Sequence, residues 1–347
     1  MSDREKLAAD ELAIVMSHFD IGIIHTIKEF SRGSRKAPKL LVTTDRGEYL
    51  LKRRARGKDE PFKVAFSHAL QLYLASKQFP LPHLIGTKND NNSMLQLNGL
   101  VYELFEYIRG TGYDNSLEAT FEAAKILALY HKLLRDYTPE FEPPIGSYHN
   151  NRMITGGLDQ IPVTFSRMDR LREVSEGQVR NTVLFLREAY AEAVAKVEEA
   201  GLSKWPLQIT HSDWHPGNML FRNHRVVAVI DYDAARMQQR VIDFANGALQ
   251  FSIIGGSDDP TKWPDYVDET RFKRFVRGYD AVDVVSVAEL EVIPWLMIEA
   301  MVAESVLPIA ATGSFGRMEG YGFLSMIERK VRWVQTNMKQ LREAVME

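Results

Sequence analysis

The chain of 347 residues contains no cysteine. That excludes disulfides and thiolate-held metal, and it fits a reducing compartment. An excess of charge of one sign is lacking too. The 43 basic and 46 acidic side chains leave a formal net charge of −3, so no broad cationic field exists to attract nucleic acid or an anionic membrane surface. No apolar stretch approaches the roughly 18 uninterrupted residues of a membrane span. The opening MSDREKLAAD is too charged for a secretory signal. The expected location is cytoplasmic, with neither nucleic acid nor membrane as partner. A glycine-rich GxGxxG, internal repeats and low-complexity tracts are missing as well. What remains, 45% hydrophobic and 26% charged residues, is the composition of an ordinary globular protein. Single cores stop growing near about 250–300 residues, so two coupled domains are expected.

The first hundred residues read as short strands and one helix. IGIIHTIKEF, PKLLVTTDRG and EYLLKRR are rich in branched apolar residues and are separated by SRGSRKA and by a DRG turn, the pattern of an antiparallel meander. FKVAFSHALQLYLASKQF carries helical periodicity until PLP ends it, and LVYELFEYI reads as a buried strand broken by RGTGYDN. The boundary is expected there, giving an N-terminal lobe 1–107 and a mainly helical lobe 108–347. In the second half LQIT, NMLFR and VVAVIDYD have strand character and interrupt an otherwise helical pattern.

Between LQIT and VVAVIDYD lies HSDWHPGNMLF, residues 211–221. His211, Asp213 and Asn218 have the spacing H-x-D-x-x-x-x-N of a phosphoryl-transfer catalytic loop. Asn218 leads into a strand, a turn RNHR and a second strand ending in Asp231, so a tight hairpin brings Asn218 and Asp231 to one end. Phosphoryl transfer needs that set of oxygens. A triphosphate repels an incoming hydroxyl unless magnesium neutralises it. Asp231 offers a charged metal ligand and Asn218 a neutral one, while Asp213 is free to orient the acceptor hydroxyl and take its proton. In the first lobe Lys52 alternates with apolar neighbours and can meet the phosphates from a strand. Gly33 and Ser34, in SRGSR, can cover them, and Glu106, Tyr107 and Ile108 form a connector whose backbone can bond adenine.

These segments resemble a known family. HSDWHPGN followed by VIDYDAA is similar to the aminoglycoside phosphotransferase and choline kinase-like group, and GEYLLKRR, NGLVYELFEYIRG and LALYHKLL are nearest in pattern to its CotS-like and homoserine kinase-like members. The resemblance covers roughly residues 30–255. It implies an α+β, two-lobed protein-kinase-like fold, ATP as donor, Mg2+, and a small alcohol or amine as acceptor. Two departures stand out. Ser212 replaces the usual glycine, a modest change if the backbone there is not left-handed. The helix glutamate that commonly pairs with the strand lysine is replaced by Ser67 or His68, which leaves the partner of Lys52 open.

Each residue also has a plainer reading. Asp213 and Asn218 are turn formers in their own right, and Lys52 with Arg53 and Arg54 could belong to a solvated basic edge. His211 is expected to brace the loop. His215 and Trp214 are loop support or substrate contacts, Asp233 a second metal contact or a cap, and Asp243 a clamp on the loop backbone. Trp295 and Glu299, four residues apart, share a helix face that lines either an acceptor pocket or the core. Arg152 and Arg236 would suit an acceptor with a carboxylate. Two rival functions follow from the same residues. One is a degenerate, CotS-like ATP-binding scaffold. The other is a metal hydrolase built on the H-x-D-x-H of His211, Asp213 and His215.

Overall fold

The computed structural model describes residues 5–167 and 175–346. Along the chain run α1 (Ala9–Ser17), β1 (Ile24–Glu29), β2 (Lys39–Thr44), β3 (Gly47–Arg53), α2 (Pro61–Ser76), β4 (Leu95–Leu97) and β5 (Leu100–Glu106). After them come α3 (Leu117–Leu134), α4 (Arg152–Ser166), α5 (Glu176–Glu199), β6 (Leu207–Thr210), β7 (Met219–Arg222), β8 (Arg225–Val229) and β9 (Arg236–Gln239). The chain closes with α6 (Arg240–Ser252), α7 (Glu269–Asp280), α8 (Val287–Thr312), α9 (Gly320–Thr336) and α10 (Met338–Met346). The α+β class expected from the sequence is the one found, an antiparallel sheet first and a mostly helical remainder after it.

The chain packs as two compact units, each assembled from separate stretches. One holds Met1–Tyr113, Asp136–Pro143 and Asn218–Ala235; the other holds Asp114–Arg135, Pro144–Gly217 and Arg236–Glu347. A single cut at 107/108 does not describe this, because the β7–β8 hairpin, a hundred residues further on, belongs to the first unit, bridging Phe221 to Thr111 and bonding the Val229 amide to the Pro80 carbonyl. Only the tertiary packing shows that.

In the first unit five antiparallel strands follow the order β1-β2-β3-β5-β4. β3 pairs with β5 in a register that sets Leu51 opposite Leu104, Lys52 opposite Glu103 and Arg53 opposite Tyr102. Alternation sends Leu51 and Leu104 to one face, where they join Val42, Leu40 and Tyr102 beneath Val15 and Met16 of α1. Lys52 and Glu103 point to the opposite face. α2 starts cleanly, with Glu60 accepting the Phe62 and Lys63 amides and Pro61 in its first turn.

The second unit is helical, with β6 and β9 as a two-stranded ribbon. α8 is its axis: it opens with a Ser286/Glu289 capping box, contains Pro294 and Pro308, and buries Ile293, Leu296, Met297, Val302 and Val306. Its 26 residues are apolar and long enough to cross a membrane by length and composition, yet most of it lies inside the unit, packed on α4, α5, α6, α9 and α10.

Candidate active site

In the first unit the sheet face opposite α1 carries a polar cluster. Lys52 Nζ lies 3.2 Å from Glu103 Oε2. Arg54 Nη2 donates to Glu103 Oε1 and to Asp233 Oδ1, both at 2.7 Å. His68 of α2 brings Nε2 within 2.7 Å of the same Glu103 oxygen, with Nδ1 2.9 Å from Ser93 Oγ. Glu103 is fully buried. Burial alone would raise its pKa, but Lys52, the His68 hydrogen bond and Arg54 together hold it well below the ordinary carboxylate value. Lys52 therefore does not sit on a solvated basic edge. Its carboxylate partner comes from the neighbouring strand rather than from the helix, where His68 stands instead. Asp233 is tied to Arg54, with Lys52 Nζ 3.9 Å away.

The other first-unit residues singled out by sequence are placed as follows. Gly33 has φ +84°, a left-handed backbone that favours glycine. Ser34 Oγ accepts the Lys36 amide at 3.2 Å. The amides of Glu106 and Tyr107 donate to the His83 and Glu48 carbonyls at 2.8 and 2.9 Å. A nucleotide base would then be left their carbonyls and Ile108. β7 and β8 form the expected hairpin, and the Ile230 amide donates to the Asn218 carbonyl at 2.9 Å, which sets Asn218 and Asp231 at the same end. Asn218 is buried, and Asp231 is exposed at φ +67°, a left-handed conformation that Asp and Asn tolerate best among side-chain-bearing residues. A carboxylate and an amide oxygen at a hairpin end are hard donors of the kind magnesium takes, a few protein oxygens being enough when phosphates and water complete the shell.

In the second unit the loop leaves β6 and is pinned from behind. Asp243, buried in the first turn of α6, accepts the His211 amide at 2.8 Å and the Ser212 amide at 2.9 Å. His131 Nε2 lies 3.1 Å from Asp243 Oδ2, and His131 Nδ1 is 2.7 Å from Tyr279 Oη. A buried polar chain through α7, α3 and α6 thus fixes the loop. Asp243 is the backbone clamp its position implied. Ser212 departs from expectation: its φ is +62°, so its backbone is left-handed and the exchange for glycine is not modest. The hydroxyl compensates by meeting Thr210 Oγ1 at 2.9 Å and accepting from Gln238 Nε2 at 3.1 Å.

Asp213 itself is half-exposed, with His215 Nε2 3.6 Å from its Oδ1, and His215 Nδ1 accepts the Gly217 amide at 3.0 Å. Trp214 is fully buried against the rings of Tyr130 and His211. Gly247 leaves it room, since a Cβ there would lie 3.0 Å from Trp214 Cδ1. Trp214 supports the loop and touches no solvent. Among the described residues no group of three or more His, Asp or Glu side chains is arranged to hold a metal ion; the hydrolase reading finds no site.

Beside this loop lies a pocket of ≈220 Å³, lined by Ser212, Arg236, Gln238, Asp243, Asn246 and Glu304 among others. Glu304 is open to the pocket while protein crowds it on its other sides. That crowding, with the charge of Asp213, raises its pKa to about 7, against the opposing hydrogen bond from Gln250 at 2.7 Å. Asn246 Oδ1 is buried in the same pocket with no protein partner. Trp295 and Glu299 do not line it. Glu299 is fully buried and ion-paired to His149 at 2.9 Å. At roughly 100° per residue, the face of Trp295 is turned about half a circle from that of Glu304, so the four-residue spacing selected the wrong stripe of the right helix.

Comparison with known proteins follows the geometry. Residues 26–284 match the phosphotransferase enzyme family. A homoserine kinase from Acidiphilium cryptum is 23% identical over 293 residues, 83% of this chain and 81% of that protein. A homoserine kinase from Sinorhizobium fredii is 24% identical over 230 residues, 65% of this chain and 63% of that one, a little under two thirds of its length. Among solved structures, an aminoglycoside phosphotransferase from Alicyclobacillus acidocaldarius superposes with a TM-score of 0.68 at 16% identity, covering 99% of this chain and 98% of that one. A microcompartment-associated aminopropanol kinase gives 0.70 at 14% identity, with 96% and 98% covered.

Proposed function

The chain belongs to the phosphotransferase enzyme family, and from that premise we propose that it moves the γ-phosphoryl group of ATP to the hydroxyl of a small amino alcohol bound in the pocket beside Asp213. Asp213 takes the hydroxyl proton as the oxygen attacks phosphorus. Asp243, through the two loop amides, keeps that carboxylate in place. Lys52 meets the donor phosphates, Gly33 and Ser34 cover them, and the Glu106–Ile108 connector receives the base. Asn218 and Asp231 would hold Mg2+, which would supply charge neutralisation of the phosphate oxygens.

The acceptor follows from the pocket. Glu304 and the unsatisfied Asn246 oxygen are both acceptors, suited to an ammonium group, and Arg236 on the pocket lining suits a carboxylate. An amino acid bearing a side-chain hydroxyl meets both, and the homoserine kinases among the relatives bear the name of such a compound. The degenerate-scaffold reading rested on the missing helix glutamate and on the likeness to CotS-like proteins, and Glu103 beside Lys52 argues against the first of these grounds. Cytoplasmic location fits a cysteine-free, ATP-dependent chain.

The observation that carries the proposal is Asp213, half-exposed on a loop pinned by two backbone hydrogen bonds. Release of ADP with homoserine, aminopropanol, choline and aminoglycosides tests it. With the accepted substrate, Asp213→Asn should lower kcat about a hundredfold or more while the protein stays folded and still binds ATP. Full activity in that variant overturns Asp213 as the base.

A further inference from the structure

We propose that Glu103 is the positioning residue for Lys52, doing from strand β5 what a glutamate on the α2 helix would otherwise do. The reading rests on Lys52 as a phosphate ligand. The sheet register places the two residues directly opposite each other, so their proximity is set by backbone ladder bonds rather than by the seating of a helix. Glu103 has no exposure, and a buried carboxylate is held only if its oxygens are satisfied. Arg54 and His68 share one oxygen, hydrogen-bonding it at 2.7 Å each, while Lys52 lies 3.2 Å from the other as an ion pair without hydrogen-bond geometry, so charge is what ties Lys52 to that oxygen. His68 thus fills the helix position and acts as a brace, anchored in turn on Ser93. Arg54 links the cluster to Asp233, two residues beyond Asp231 on the hairpin end.

This arrangement makes a distinguishable claim: the Lys52 ammonium is placed by the β3–β5 register and the charge of Glu103, with α2 contributing only the His68 brace. ATP saturation of the full-length enzyme, measured with a saturating acceptor, tests it in Lys52→Ala, Glu103→Gln, Glu103→Asp and His68→Gln. Glu103→Gln should raise the KM for ATP about tenfold or more, the range expected for losing a charge-assisted contact, with the acceptor KM within about twofold. Thermal melting checks that each variant is folded. If Glu103→Gln leaves too many cations unpaired to fold, Glu103→Asp still answers, because it keeps the charge and withdraws it from Lys52 by one methylene; its ATP KM should also rise. His68→Gln, with Arg54 still in place, should change the ATP KM only about threefold.

The proposal is overturned if Lys52→Ala raises the ATP KM and folded Glu103→Gln or Glu103→Asp does not. If Lys52→Ala itself leaves the ATP KM unchanged, the failure lies with Lys52 as a phosphate ligand. A loss of kcat in the Glu103 variants with no movement in ATP KM marks Glu103 as structural only, and overturns the proposal as well.

Discussion

Ser212 holds a left-handed backbone with a side chain that ordinarily avoids it. The conformation costs roughly 1–2 kcal/mol, and its hydroxyl offsets part of that through Thr210 and Gln238. Two substitutions separate the terms. Ser212→Ala loses the hydroxyl and keeps the strain, whereas Ser212→Gly loses the hydroxyl and relieves it. Ser212→Ala should therefore be the less stable of the two by about 1 kcal/mol in urea denaturation; equal stabilities would mean that the left-handed turn carries no strain. Single residues were unevenly legible. Asp213, Asn218 and Asp231 stand out because one loop and one hairpin carry them at short, fixed spacing. Glu103 does not, because LVYELFEYI reads as an apolar strand, and its meaning depends on pairing with β3, fifty residues earlier. The one available signal was a charge inside that run, matched by Lys52 at an equivalent point of EYLLKRR.

α8 joins packing to recognition, buried on most sides as the axis of the second unit and presenting Glu304 to the pocket. Glu304 feels Asp213 and His215 from the loop and Gln250 from α6, and it shares its pocket with Asp243 of α6 and Arg236 of β9. Its raised pKa, about 7, gives a sign to the pH dependence of binding: below 7 it is largely neutral, and above 7 it is charged and attracts an ammonium. The KM for an amino alcohol should fall as pH rises through about 7. In Glu304→Gln the profile should flatten and the KM above pH 7 should rise about tenfold. Initial-rate measurements from pH 6 to pH about 8.5 check both; a cationic acceptor whose KM is untouched by the substitution does not use Glu304. Long helices were legible, α3 to its ends, because their apolar periodicity runs for several turns. α1, α4 and α7 were not read as helices. α1 begins after Ala8, with no capping hydroxyl, and α4 contains two glycines and Pro162. The run 323–346 has the apolar spacing of one helix, yet it breaks at Asn337, where the chain turns before α10.

At the scale of the molecule, stability depends on protons held by a triad in the second unit, in which His149 and Glu299 are buried and Glu198 is partly exposed. His149 lies between Glu299 and Glu198 at 2.9 and 3.0 Å. Burial alone would lower the His149 pKa, but the two carboxylates outweigh it and raise it above 6.5; burial raises Glu299 above 4.5. Both groups hold protons more tightly in the folded state. Their stabilisation is complete at low pH and declines with rising pH, for Glu299 from 4.5 upward and for His149 beyond 6.5. Melting temperature should fall as pH is raised above 6.5, and His149→Gln should flatten that decline; an unchanged slope would remove His149 from the account.

The pairing of β3 with β5 has one more consequence. Lys52 and Glu103 occupy one face while Arg53 and Tyr102, also opposite each other, both reach Glu11 of α1 on the other face. Sliding one strand by a single residue would exchange the faces and sever both sets together. The groups assigned to gripping phosphate are thus also proofreaders of the sheet. A chain that has zipped up out of step is, for the same reason, one that cannot seat a nucleotide.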